Sequence, residues 1–288
     1  MAKEPMHNLC GLARIRSAYP SLTPTEKRVA DYCMKRPEEI IYLSVTQLSE
    51  RCGVGESTII RFSQAAGFSG YHDLKLNLAL ELSARSQHPA RETLDPESST
   101  AALVERVTAM NMGAIQDTSK LVDAENLAQA VEKILEAKRL FFFGVGTSGI
   151  TAADAQSKFL RIGFLAYAPA DSHQQIMSAA HVGPGDVCVA FSHSGSTKDT
   201  VDTMRLAKAN GACTITITDA VKAPMIELSD LVLLTGSAED PLQGGSLRSK
   251  LAQVHMIDLL YTGVAHRLGQ EVVELKKKSA LSVVDKLY

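Results

Sequence analysis

Apolar positions follow two rhythms along the chain. Through residue 83 they recur at helical spacing, and beyond residue 138 they gather into short unbroken runs separated by helical stretches. In "SLTPTEKRVADYCMKRPEEI", Val29, Tyr32, Cys33 and Ile40 fall near one helical period. Thr23 reads as the N-cap, Pro24 as the first helical residue and Glu26 as the capping-box partner, and Pro37 ends the helix. "SVTQLSERCGVGESTIIRFSQAAGFSG" predicts two short helices about a turn at Gly53-Val54-Gly55. Leu48 and Cys52 stripe the first, residues 57–62 open the second, and Gly67 is a fitting C-cap. "YHDLKLNLALEL" predicts another amphipathic helix.

The later residues predict helices over about 100–120 and 123–137, and then an alternation. "RLFFFGVG", "LAYAPAD", "DVCVAFSHSG", "CTITITD" and "LVLLTG" read as strands. "SGITAADAQSKFLRIG", "HQQIMSAAHV", "TKDTVDTMRLAKANG" and "GSLRSKLAQVHMIDLLYTGVAHRLG" read as helices. Such alternation implies parallel βαβ units in a doubly wound sheet. "LFFF" and "VCVAF" lack a polar face, as strands covered on both sides should.

Between the two rhythms, "SARSQHPARETLDPESST" is rich in Ser, Pro, Thr and charge and has little apolar period, a linker composition. The division expected is 1–83, an α-helical helix-turn-helix domain; 84–100, a linker; and 101–288, an α/β domain. Both parts suit the usual domain sizes. With 45% hydrophobic residues the chain can fill sizeable cores, and its net charge of −2 points to no partner. The five cysteines are scattered without a CxxC pair, so neither zinc nor a disulfide framework is implied, and no cofactor is called for. Reduced thiols, no apolar leader and no run of ~20 apolar residues fit a cytoplasmic protein that meets no membrane.

Two segments carry candidate chemistry. A helix, a glycine turn and a second helix is the geometry that seats a helix in the major groove. Glu56, Ser57 and Thr58 begin the second helix. Arg61 can meet a guanine edge or a phosphate, and Gln64 an adenine. An ordinary helical hairpin has the same pattern. Residues 1–83 hold ten Lys and Arg against nine Asp and Glu, so only a local basic stripe of Arg51, Arg61 and Lys75, near Lys27 and Arg28, would favour DNA. The other segment is a pair of strand-to-helix junctions. "FFFGVGTSGITA" places Gly146, Thr147 and Ser148 at a helix start, and "FSHSGSTKDT" places Ser192, His193, Ser194, Gly195 and Thr197 at another. Helix N-termini present unpaired amides to anions. Ser and Thr are also common N-caps, but two such junctions at one sheet edge favour a ligand. "GVGTSG" lacks the spacing of a dinucleotide fingerprint, and no GK[ST] follows it.

Taken together, "LTPTEKRVADYCMKRPEEI", "SVTQLSERCGVGESTIIRFSQAAGFSGYHDLKLNL", "GVGTSG" and "SHSGSTKDT" resemble the RpiR/MurR family of bacterial transcription regulators over nearly the whole chain. The resemblance implies a helix-turn-helix joined to a sugar-isomerase (SIS) domain that senses a phosphosugar or related sugar acid. It also implies double-stranded operator DNA as partner and a homodimer or homotetramer. Carried over by position, Ser148, Ser192 and Ser194 match the phosphosugar-binding serines and Thr197 the phosphate-binding threonine. His193 stands where sugar-isomerising relatives often carry Gln, a departure on the sugar side of the site. Ser57, Thr58 and Arg61 match the start of the recognition helix, and Lys75 a basic position in the next helix.

An isomerase of this fold is the alternative, and it needs a base beside the sugar C2. Glu239, Asp240, His255 and His266 are candidates; His173 and His181 also could face the cleft. Ser246, Arg248 and Lys250 could instead meet the ligand or a neighbouring subunit. His255 reads better as a packed, hydrogen-bonded histidine. The attached helix-turn-helix ranks a ligand-controlled regulator first. Lys276, Lys277 and Lys278 read as a solvated helix end rather than a nucleic-acid contact.

Overall fold

The computed structural model describes residues 11–85, 99–236 and 247–284. The chain forms two compact units, one running to Arg106 and the other beginning at Val107.

The first unit is helical: α1 (Gly11–Ala18), α2 (Pro24–Lys35), α3 (Pro37–Ile40), α4 (Val45–Cys52), α5 (Glu56–Ala65) and α6 (Tyr71–Arg85). Local chemistry starts and stops these helices. Thr23 caps α2 in the expected box, its amide donating to Glu26 Oε2 at 2.9 Å. A second box, Ser44 with Gln47, opens α4. Gly53 closes α4 with φ +61°. A side chain there would also strike Arg28, whose Nη2 lies 2.5 Å from the position of a Cβ. The Arg28 tip can swing aside, so it is the left-handed backbone that glycine alone meets without strain. Ile15, Val29, Ile40, Leu48, Ile59, Phe62, Leu74 and Leu78 are fully enclosed and hold the bundle together.

Helix α7 (Thr100–Leu121) spans the division between the units, and α8 (Ala124–Leu135) follows in the second. The alternation follows as β1 (Arg139–Phe143), α9 (Thr147–Leu160), β2 (Ala166–Tyr167), α10 (Ser172–Ala179), β3 (Asp186–Phe191), α11 (Lys198–Ala209), β4 (Cys213–Thr218), α12 (Pro224–Glu227) and β5 (Leu231–Leu234). It closes with α13 (Leu247–Leu268) and α14 (Glu271–Leu281). The expected second strand shrinks to two residues, and α12 and α14 are additions to the elements read from the sequence.

All five strands are parallel, in the order β2-β1-β3-β4-β5. Leu140 and Phe142 of β1 face one layer with Ala130, Ala155, Phe159 and Met256 of α8, α9 and α13. Phe141 and Phe143 face the other with Ala179, Met204 and Met225 of α10, α11 and α12. Burial on both faces explains the unbroken apolar runs. The chain leaves β1 for one face and β3 for the other, so the two following helices diverge. Their N-termini flank a crevice at the carboxyl edge of β1 and β3, where sheets of this order bind ligands. No helix among the described residues is long and apolar enough to cross a membrane.

Candidate ligand cleft and DNA-reading helix

Both Ser/Gly junctions meet at that crevice, each following one of the two central strands. After β1, Gly144 approaches the next turn so closely that a Cβ would stand 2.8 Å from the carbonyl oxygen of Ser148. Gly146 takes φ +60° as the N-cap of α9 and offers no side-chain cap. The first amides of α9, those of Thr147 and Ser148, precede the helical hydrogen-bond ladder and so suit an anion.

After β3, Ser192 is buried and its amide donates to Ile217 O at 3.1 Å. Its hydroxyl lies 3.3 Å from that of Thr197. Thr197 is the N-cap of α11, yet its side chain caps no helix amide. The capping explanation therefore does not account for this threonine. Its hydroxyl faces Ser192, across the turn made by Gly195 at φ +62°. Ser194 is exposed and accepts from the Ser196 amide at 3.3 Å.

Three contacts from distant segments shape the cleft, and sequence reading missed them. Gln253 of α13 is buried and its Nε2 donates to Ser148 Oγ at 3.2 Å, which turns the serine proton outward from that bond. Gln175 of α10 donates to Gly144 O at 2.7 Å and to Pro169 O at 2.9 Å, pinning the β1–α9 turn. Asp219, just beyond β4, stands 3.3 Å from His193 Nδ1 and accepts a hydrogen bond from Thr235. His193 is thus fixed by a carboxylate. The only signals for these contacts in the sequence are a Gln in an apolar helix and an Asp at a strand end, and neither names its partner.

Among the described residues, the isomerase candidates His255 and His266 do not join the cleft. His255 is half-buried with its Nε2 3.1 Å from Ser119 Oγ, and Asp258, one turn further along α13, pairs with Lys158. His266 is exposed, 13 residues beyond Gln253, or ~20 Å along a helix. Glu239, Asp240 and Ser246 lie outside the described residues. Lys276 rests over the Tyr261 ring at 5.3 Å.

In the first unit, α4, the Gly53 turn and α5 build the helix pair. Ser57, Ile60, Arg61 and Gln64 form one exposed stripe of α5 at helical spacing. Thr58 is buried, and its hydroxyl accepts from Arg61 Nη2 at 3.4 Å. Three expectations are corrected, the first being Thr58, whose burial takes it off the exposed face of α5. Arg51 does not join a free basic stripe, because Glu39 and Tyr32 engage its guanidinium. Lys75 does not face outward: its ammonium donates to Leu43 O at 3.0 Å beside the Tyr71 ring.

Burial pushes the Lys75 amine down to about 8. The unfolded chain holds that proton to ~10.4, so between these values unfolding takes up a proton and stability rises with pH. Between pH 8 and 10, wild type should therefore gain stability relative to Lys75→Met in urea unfolding, while operator affinity stays equal in the two proteins. Parallel pH profiles, or a weaker complex for the variant, would refute the inward placement.

Comparison with known proteins matches residues 9–85 to the helix-turn-helix domain of the rpiR family and residues 133–263 to the SIS domain. An HTH-type transcriptional regulator of Haemophilus influenzae is 34% identical over 277 residues, covering 95% of this chain and 96% of the relative. The regulator HexR of Pseudomonas aeruginosa is 31% identical, covering 92% of this chain and 91% of its own. Among solved structures, Vibrio vulnificus NanR complexed with ManNAc-6P superposes with a TM-score of 0.82 at 27% identity, covering 96% of this chain and 100% of NanR.

Proposed function

Because the chain belongs to the RpiR family of helix-turn-helix transcriptional regulators that carry a SIS domain, we propose that it is a cytoplasmic operator-binding regulator whose effector is a phosphosugar. The phosphate sits between the α9 and α11 N-termini. It takes hydrogen bonds from the Ser148, Ser192 and Thr197 hydroxyls and from amides of the 146–148 and 193–197 turns. Ser194 and His193 meet the sugar side. Ser57, Arg61 and Gln64 read the operator, and paired subunits match half-sites about 34 Å apart.

One observation carries this reading: two facing hydroxyls, 3.3 Å apart, neither spent on capping, at the strand-order reversal of a parallel sheet. Neutral donors at helix ends bind a phosphate dianion without needing a fixed cation. The NanR complex supports the ligand class, since the ligand in it is a sugar phosphate. The regulator reading stands ahead of an isomerase because the relatives that match nearly the whole chain are named transcriptional regulators, and the helix-turn-helix domain belongs to that architecture.

Effector control requires that the ligand bind the DNA-competent and DNA-free forms differently. Ser192→Ala removes one hydroxyl and should weaken phosphosugar binding about tenfold, the worth of one hydrogen bond to a charged group. Titration calorimetry with N-acetylmannosamine 6-phosphate, glucosamine 6-phosphate, glucose 6-phosphate and 6-phosphogluconate, paired with gel shifts, tests this. Intact DNA binding with a blunted effector response is expected; an unchanged response removes the site.

A further inference from the structure

The stripe that α5 presents to solvent contains one residue that does not suit water. Ile60 is 43% exposed, while its neighbours Ile59 and Phe62 are fully enclosed. It stands outside the apolar cluster that forms the core of the first unit. An exposed mid-helix site favours Lys, Glu, Gln or Ala, and a β-branched apolar residue there goes against both helix propensity and hydration. Single exposed apolar side chains are ordinary on protein surfaces, and what sets Ile60 apart is its place within the exposed polar stripe of α5.

The surroundings of Ile60 define what it fits. Ser57 lies one turn before it, Arg61 beside it and Gln64 one turn after, all exposed. These three can serve the polar edges of bases and the phosphates. The major groove offers one apolar feature, the C5-methyl of thymine. We propose that Ile60 reads a thymine methyl in the operator, at a base step next to the one Arg61 contacts. The inference rests on the DNA-reading role proposed above for α5. It adds a direct preference for thymine that hydrogen bonding alone does not supply.

The test uses the full-length protein and the tightest duplex it selects from a randomised pool. Each thymine is replaced in turn by deoxyuridine, which deletes the methyl and keeps the pairing. Burying one methyl corresponds to about a fourfold change in affinity per half-site. Wild type should lose that factor at one position in each half-site. Ile60→Ala should bind the thymine duplex more weakly by a similar factor and be indifferent to uracil at that position. Ile60→Val should retain the sensitivity. Matching thermal melts would confirm that the exposed substitution leaves the fold intact. Uracil tolerated at every position by wild type overturns the proposal, as does an Ile60→Ala protein that still loses affinity on uracil substitution. Failure of wild type to select any duplex overturns the DNA-reading role itself, a separate and earlier result.

Discussion

Gly195→Val should abolish phosphosugar binding and destabilise the second unit by about 2–5 kcal/mol. Two costs add. Gly195 holds φ +62°, a conformation that costs a residue with a side chain ~1–2 kcal/mol. A Cβ there would also lie 2.6 Å from Ala223 Cβ and 3.3 Å from Thr218 Oγ1, and neither neighbour is the far end of a flexible chain. Overpacking of this kind costs ~1–3 kcal/mol. The turn must move to relieve it, and the turn carries Ser192 and Thr197, whose facing hydroxyls form the proposed anion site. Gly146→Ala supplies the control. It has φ +60° and ψ −131° but open space where its Cβ would stand, so it bears a backbone cost of its own and no crowding. Urea unfolding and calorimetry on both variants check the contrast. A Gly195→Val protein that keeps wild-type stability and phosphosugar affinity would show that crowding against Ala223 plays no part.

Arg61→Ala should weaken operator binding by about 1–3 kcal/mol if the guanidinium meets a base edge. Arg61 is exposed on the same stripe as Ser57 and Gln64, and only Nη2 is drawn back, toward Thr58. The guanidinium therefore keeps further N–H groups for a guanine or a phosphate. Salt dependence separates these two contacts. A base contact relaxes specificity at one position and leaves the salt slope unchanged. A phosphate contact weakens all duplexes evenly and lowers the slope by about one. An equally tight complex at matched salt takes Arg61 off the reading face.

Much of the fold is legible in the residues because it is written in local chemistry. The Thr23–Glu26 box, the Gly53 turn and the helical period on either side of it predict α2, α4 and α5 within a residue or two. Unbroken apolar runs predict the central strands because burial on both faces removes the polar alternation. The short edge strand was harder to read. "LAYAPAD" has strand-like residues, but Ala166–Tyr167 pairs only with β1, so pairing ends after two residues.

The binding candidates divide along the same line. Gly-Ser-rich junctions after apolar strands mark Ser148, Ser192 and Thr197 without reference to anything distant, since strand, turn and helix start are contiguous. The inward turn of Lys75 depends on the Leu43 carbonyl, 32 positions away. Likewise Asp219 finds His193, and Gln253 finds Ser148 across 105 positions. The sequence by itself determined the elements, their order and the two segments where chemistry gathers, because propensity, capping and periodicity act over a few residues. Which polar side chains face inward, and which of them brace the cleft, was decided only by tertiary structure. Each such pairing is chosen by packing, which brings together groups that share no neighbourhood in the chain, and a buried donor or acceptor must take whatever partner that packing supplies.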